Sequence, residues 1–133
     1  MSKRSFIYKQ IISTALIILC LIQCKPSTPE QMEINKMHDE IMVIHDEVMP
    51  LMKDTYKLRR QLKTASNTSP EVQALITALD DADEAMMDWM AGYDKPSTSD
   101  DNYQSYLDQQ MTDVNKMKDL MLHSIDNARK YLQ

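Results

Sequence analysis

Apolar residues return at alternating intervals of three and four along three stretches of the chain. The first seam is Ile34, Met37, Ile41, Ile44, Val48, Leu51, Thr55, Leu58 and Leu62. The second is Val72, Leu75, Leu79, Ala82, Met86, Trp89 and Tyr93, and the third is Tyr103, Leu107, Gln110, Val114, Met117, Met121, Ser124, Ala128 and Tyr131. Each keeps one phase for three or more heptads, which predicts three amphipathic helices packed along apolar stripes.

The ends of the stretches carry start and stop chemistry. Thr28-Pro29-Glu30-Gln31 offers an N-cap Thr, a Pro at the first helical position and a Gln at the capping-box position, and Ser69-Pro70-Glu71 repeats the design with Thr68 as a second candidate cap. Ser99-Asp100-Asp101 places negative charge at the positive end of the third helix. Arg59, Arg60 and Lys63 close the first helix, and Arg129 and Lys130 close the third. Gly92, the single glycine, stands where the second should end, with Tyr93 able to fold back and Pro96 beyond. These signals predict helices over about 29–64, 70–92 and 100–132.

Short connections force neighbouring helices to run antiparallel. The expected fold is therefore all-α: an up-down-up three-helix antiparallel bundle or coiled coil over 30–133. Pro50 falls inside the first helix, where it removes one backbone hydrogen bond and crowds the carbonyl of Asp46. The apolar seam keeps its phase from Val48 to Leu51, so a single kinked helix is expected, not two separate ones.

Composition supports helices. One Gly in 133 residues leaves little room for a turn-rich fold. Met, Leu, Ala, Gln, Glu, Asp and Lys dominate after residue 23, and all but Asp are good helix formers. Collagen-like, disulfide-scaffold and disordered classes are excluded, and a parallel α/β enzyme does not fit.

The first 23 residues read as an export signal. Lys3, Arg4 and Lys9 form a positive region, and the apolar run Ile11 to Ile22 is too short to span a bilayer. It ends in Leu21-Ile22-Gln23-Cys24, which resembles a bacterial lipoprotein box whose Cys becomes the lipidated first residue. Gln23 departs from the small residue usual before that Cys. Cys20 is the rival site, but Leu19 fits worse before it, and Lys25-Pro26-Ser27-Thr28-Pro29 follows Cys24 like a linker. The expected organisation is a signal peptide over 1–23, a lipidated Cys24 with a short linker over 24–29, then the bundle. The loop Asp94 to Thr98 would then lie near the membrane and Ala65 to Thr68 far from it.

Lipidation leaves no free thiol for a disulfide, a metal or a nucleophile. From Cys24 onward the chain carries 12 Lys and Arg against 20 Asp and Glu, a formal charge of −8. Such a body disfavours nucleic acid and anionic lipid as partners. Membrane attachment would rest on the acyl chains, at about 0.8 kcal/mol per buried CH₂.

One heptad is written twice: Met37-His38-Asp39-Glu40-Ile41-Met42 recurs as Ile44-His45-Asp46-Glu47-Val48-Met49. It places His38, Met42, His45 and Met49, with Met52, on one stripe beside the seam. Imidazoles and thioethers suit Cu(I), so copper binding is the alternative function this stripe raises, with Met86, Met87 and Met90 or Met111, Met117 and Met121 as further donors. The plainer reading is packing, because Met fills cores adaptably and the flanks of a bundle seam are covered. Asp80, Glu84 and Asp88 form a carboxylate row at i, i+4 and i+8, read as a solvated face that could meet a basic partner. It lacks the Gly and spacing of a Ca²⁺ loop. No HExxH, GxSxG or phosphate loop occurs, and Asn35, Met42 and Leu120 stand where a di-iron bundle needs Glu three residues before His. His123 falls on the outer face of the third helix. Trp89 falls on the seam of the second helix, where burial is the expectation.

The lipoprotein box, the His-Asp-Glu heptads and Ala85-Met86-Met87-Asp88-Trp89-Met90 together resemble a group of small helical envelope lipoproteins of Gram-negative bacteria, often labelled automatically as viral A-type inclusion proteins. The resemblance implies a helical lipoprotein and brings no activity, catalytic residue or cofactor. The expected function is a non-enzymatic structural or interaction module on the bacterial envelope, held in a membrane (the outer one) by palmitate-type lipid. It would meet a protein partner or its own copies.

Overall fold

The computed structural model describes residues 27–65 and 69–133. The leader, Cys20, Cys24 and Thr68 lie outside them. Four α-helices follow in order: α1 (Pro29–Val48), α2 (Met52–Thr64), α3 (Pro70–Gly92) and α4 (Tyr103–Tyr131). A three-residue 3-10 turn, Met49–Leu51, joins α1 to α2, so these two form one rod. Among the described residues there is no strand. Three rods pack on one another, as the periodicity predicts. No described helix is long and apolar enough to cross a membrane.

Two of the three predicted starts are built as expected. Thr28 Oγ1 accepts the Gln31 N–H at 3.2 Å, and Ser69 Oγ accepts the Val72 N–H at 3.3 Å. The Gln31 side chain does not turn back to close a capping box; it donates forward to Asn35 Oδ1 at 3.2 Å. The third start differs. The Asp100 carboxylate accepts the Ser97 N–H at 2.7 Å, while the Asp100 N–H bonds back to the Ser97 carbonyl. The acid is engaged in a turn of its own, and α4 begins only at Tyr103, with Asn102 at the cap making no side-chain bond.

The end of α3 also departs from expectation. Gly92 is the last helical residue, and the chain leaves through Tyr93 in an extended conformation (φ −77°, ψ 125°), whose N–H bonds to the Trp89 carbonyl. No left-handed glycine cap forms. A Cβ placed on Gly92 would meet nothing within 4 Å.

Each rod contributes a string of buried residues spaced seven apart. They are Ile34, Ile41, Val48, Thr55 and Leu62 on the first rod, Val72, Leu79 and Met86 on α3, and Leu107, Val114, Met121 and Ala128 on α4; none exceeds 2% exposure. The seams predicted from sequence contain all twelve. They miss Ile76 and Ile125, which are buried beside them.

Contacts between rods have a definite order. Met37 meets Gln104, Glu47 meets Lys118 and Asp54 meets Arg129, so partner numbers rise together between the first rod and α4. His38 meets Tyr93, His45 meets Trp89, Thr55 meets Asp83 and Arg59 meets Asp80, so they fall between the first rod and α3.

Pro50 does not break the first rod. The Met49 N–H still bonds to the His45 carbonyl, and the Met52 N–H reaches the carbonyls of Met49 and Pro50. The proline is absorbed in the 3-10 turn, and the buried string passes through it without losing its seven-residue step. Pro50→Ala is expected to cost about 0.5–1 kcal/mol of stability and so to lower the thermal midpoint, because alanine frees the unfolded chain at a position that suits proline. Gly92→Ala is expected to add a similar amount of stability and so to raise the midpoint, since the site is right-handed and open. Melting curves followed by circular dichroism check both signs.

Candidate functional site

The repeated heptad puts its two histidines on the side of the first rod that faces α3. There they enter a cluster of five rings. His45 lies against Trp89 (centroids 5.7 Å apart), Trp89 stacks on Tyr93 (5.0 Å), and Tyr93 stacks on both His38 (5.7 Å) and Tyr106 of α4 (6.3 Å). All three rods therefore meet at this end of the bundle. Offset and tilted pairs of this kind add about 0.5–1.5 kcal/mol each beyond their buried area.

Hydrogen bonds tie the rings in place. His38 Nδ1 lies 2.6 Å from the Tyr93 hydroxyl, and His45 Nδ1 lies 2.9 Å from Asp46 Oδ1. The Tyr106 hydroxyl accepts the Asp94 N–H at 2.9 Å, which holds the start of the α3–α4 loop. Trp89 Nε1 is buried with no protein acceptor. Burial, then the nearby Lys95 charge, pushes the His38 pKa down against the upward pull of Asp39. Burial pushes the Tyr93 phenol up to about 12, with Tyr106, Asp39 and Asp94 acting the same way. A neutral imidazole and a protonated phenol are the two forms that make an O–H···Nδ1 bond, so both shifts favour the observed contact.

The sequence-derived stripe is thus split by its surroundings. His45 is buried, His38 and Met42 are half-buried, and Met49 is 55% exposed. Both imidazoles already engage Nδ1 within the bundle. Among the described residues, no group of three or more His, Cys, Asp or Glu is gathered to hold a metal ion. His123 is exposed on α4, with Nδ1 2.8 Å from the Asp119 carbonyl.

The carboxylate row is also split. Asp80 binds Arg59, whereas Glu84 and Asp88 point to solvent. The acid that matters most to packing is its neighbour Asp83. One oxygen lies 2.7 Å from the buried Thr55 hydroxyl and the other 2.9 Å from Arg59 Nη1. Thr55 Oγ1 is also 2.8 Å from the Met52 carbonyl, so two acceptors share its proton. Sequence reasoning placed Thr55 on the seam and Arg59 at a helix end but linked neither to Asp83. The available signal was a lone hydroxyl in an apolar string, which needs a partner when buried.

No known protein family, curated protein or solved structure matches the chain.

The depressed His38 pKa has a definite sign. Between its folded value and 6.5 the unfolded chain binds a proton that the folded chain does not. The stability this group contributes is whole above pH 6.5 and is lost as pH falls below it. The thermal midpoint is therefore expected to drop from pH 7.5 to pH 5.5, and the drop to be smaller in His38→Gln. Equal drops in both proteins would contradict this assignment.

Proposed function

We propose that the chain is a lipid-anchored bacterial envelope lipoprotein that acts as a non-enzymatic helical interaction module. The observation that carries this reading is the apolar leader ending in Leu21-Ile22-Gln23-Cys24, placed four residues before the cap at Thr28. A Cys anchor so close to a folded rod would set the bundle directly on the membrane surface. A bundle of packed rods whose outer faces carry charged side chains beside exposed apolar ones such as Val43 and Met87 supports an adaptor role in which helix faces meet a partner.

The rods are read as up-down-up. The rising order of partners between the first rod and α4, and the falling order between the first rod and α3, support it. In that arrangement the aromatic cluster and the α3–α4 loop lie at the membrane end, and the basic end of α2 lies away from it.

Metabolic labelling with an alkyne palmitate analogue tests the anchor. The full chain expressed in Gram-negative cells is expected to carry label and to fractionate with the envelope. Cys24→Ala is expected to lose the label and Cys20→Ala to keep it. An unlabelled wild-type chain, or label that survives Cys24→Ala, would sink the proposal.

A further inference from the structure

Charge in this chain is segregated by helix. α2 carries Lys53, Lys57, Arg59, Arg60 and Lys63 against Asp54 alone. α3 carries Glu71, Asp80, Asp81, Asp83, Glu84 and Asp88 and no Lys or Arg. Part of this imbalance is settled within the molecule: Arg59 binds Asp80 and Asp83, and Asp54 binds Arg129. What remains is two exposed rows. Lys53, Lys57 and Arg60 lie on the outer face of α2, and Asp81, Glu84 and Asp88 on the outer face of α3; all six are exposed, and none makes an ion pair among the described residues.

The two rows match in spacing. Read forward, the basic row steps by four and then three. Read backward, Asp88, Glu84 and Asp81 also step by four and then three. Laid antiparallel, every cation meets a carboxylate. Side chains of α2 from Lys53 to Thr64, Asp54 among them, bound an open surface hollow of about 670 Å³, with the Arg60 guanidinium 5.8 Å over the Tyr56 ring.

We propose that the outer face of α2 docks the outer face of α3 from a second copy of this chain, through Lys53–Asp88, Lys57–Glu84 and Arg60–Asp81. Level supports the match. Within one chain Thr55 stands beside Asp83 and Arg59 beside Asp80. The intermolecular pairing shifts that alignment by only two or three residues, roughly 4 Å at 1.5 Å per residue. Two copies so paired stand side by side and point the same way. This orientation rests on the anchored reading above, because two chains tethered at their N-termini on one membrane can meet only in this sense. Exposed ion pairs are individually weak and screened by salt. Confinement to a surface supplies the effective concentration they need.

The test uses two differently tagged copies of the full chain expressed together, with isolated envelopes treated at low salt with a carbodiimide, which joins paired lysines and carboxylates, before they are dissolved in detergent and captured through one tag. The wild-type pair is expected to co-purify, and capture to fall at least tenfold in high salt. Capture is expected to fall at least tenfold when both copies carry Lys57→Glu with Arg60→Glu, and again when both carry Asp81→Lys with Glu84→Lys. It should return when one copy carries the first pair and the other the second, because every contact is then complementary again. As a measurement independent of charge reversal, Lys57→Cys in one copy and Glu84→Cys in the other, both in a Cys20→Ala background, should form a disulfide-linked dimer. Lys116→Cys with Glu84→Cys should not. Wild-type copies that fail to co-purify, homotypic variants that still pair, or a missing Lys57–Glu84 crosslink would overturn the proposal. Palmitate labelling of the same samples separates the two readings: lost pairing with label retained strikes this inference alone, and pairing without label strikes the anchor alone.

Discussion

Twelve side chains spaced seven residues apart on three rods, and sealed from water, are what the rest of the molecule depends on. A strict seven-residue repeat is not natural to a straight α-helix, which lags it by about 20° per heptad. Coiled coils absorb the lag by supercoiling. The first rod has another means in Pro50. Each 3-10 residue turns about 20° further than an α-helical one, so a three-residue 3-10 turn regains ~60°, nearly the lag of the four heptad steps from Ile34 to Leu62. The residue that looks like a defect in the helix thus keeps Thr55, Leu58 and Leu62 facing the core.

The polar contacts are placed around that core with little redundancy. Thr55 sits in the buried string, where its hydroxyl would be costly without an acceptor; the Met52 carbonyl and the Asp83 carboxylate share that role, and only Asp83 ties it to another rod. Asp83 in turn is stabilised by Arg59, whose side chain is mostly covered. The three residues form a chain from the centre of the bundle to its surface, so each is worth more in place than its exposed counterparts. The Lys36–Glu40 and Lys130–Asp126 pairs sit in water and within single helices, where such pairs contribute little.

Much of this was legible beforehand, because helix formation and heptad burial are local and periodic properties. The three stretches, the caps at Thr28 and Ser69 and the central strings follow from spacing and residue type. What was not legible depends on partners far apart in sequence. His38 and Tyr93 are 55 residues apart, and Thr55 and Asp83 are 28 apart. Nothing in a helical pattern says which carboxylate of Asp80, Asp81, Asp83, Glu84 and Asp88 turns inward. Local competition explains the misplaced boundaries. Asp100 caps a turn at Ser97 before it can cap α4, and Gly92 stays right-handed because Tyr93 leaves the helix to join the ring cluster. Spacing alone sets the Met and His stripe beside the seam of the first rod, and the structure divides it between buried His45 and exposed Met49. Whether it faced solvent or α3 could not be read from one helix alone.

Heptad strings carry a hazard that the ring cluster and the Asp83 chain answer. Apolar residues repeated every seven pack nearly as well after one rod slides by seven. The duplicated His-Asp-Glu heptad makes the first rod almost self-similar under that move, since His45 would arrive where His38 stood. Burial alone barely distinguishes the two registers. Polar geometry does. After the slip, Val48 or Leu62 would face the Asp83 carboxylate in place of Thr55, and Arg59 would stand about 10 Å away along the axis, at 1.5 Å per residue. A half-buried carboxylate stripped of both partners costs several kcal/mol. Tyr93 would exchange His38 for either His45 or Gln31, and Trp89 would lose or change its ring partner. The register is therefore set at two levels some distance apart, by rings near one end and by Thr55, Asp83 and Arg59 toward the other. The apolar strings supply cohesion, and these few polar and aromatic contacts decide which of the nearly equivalent packings the chain adopts.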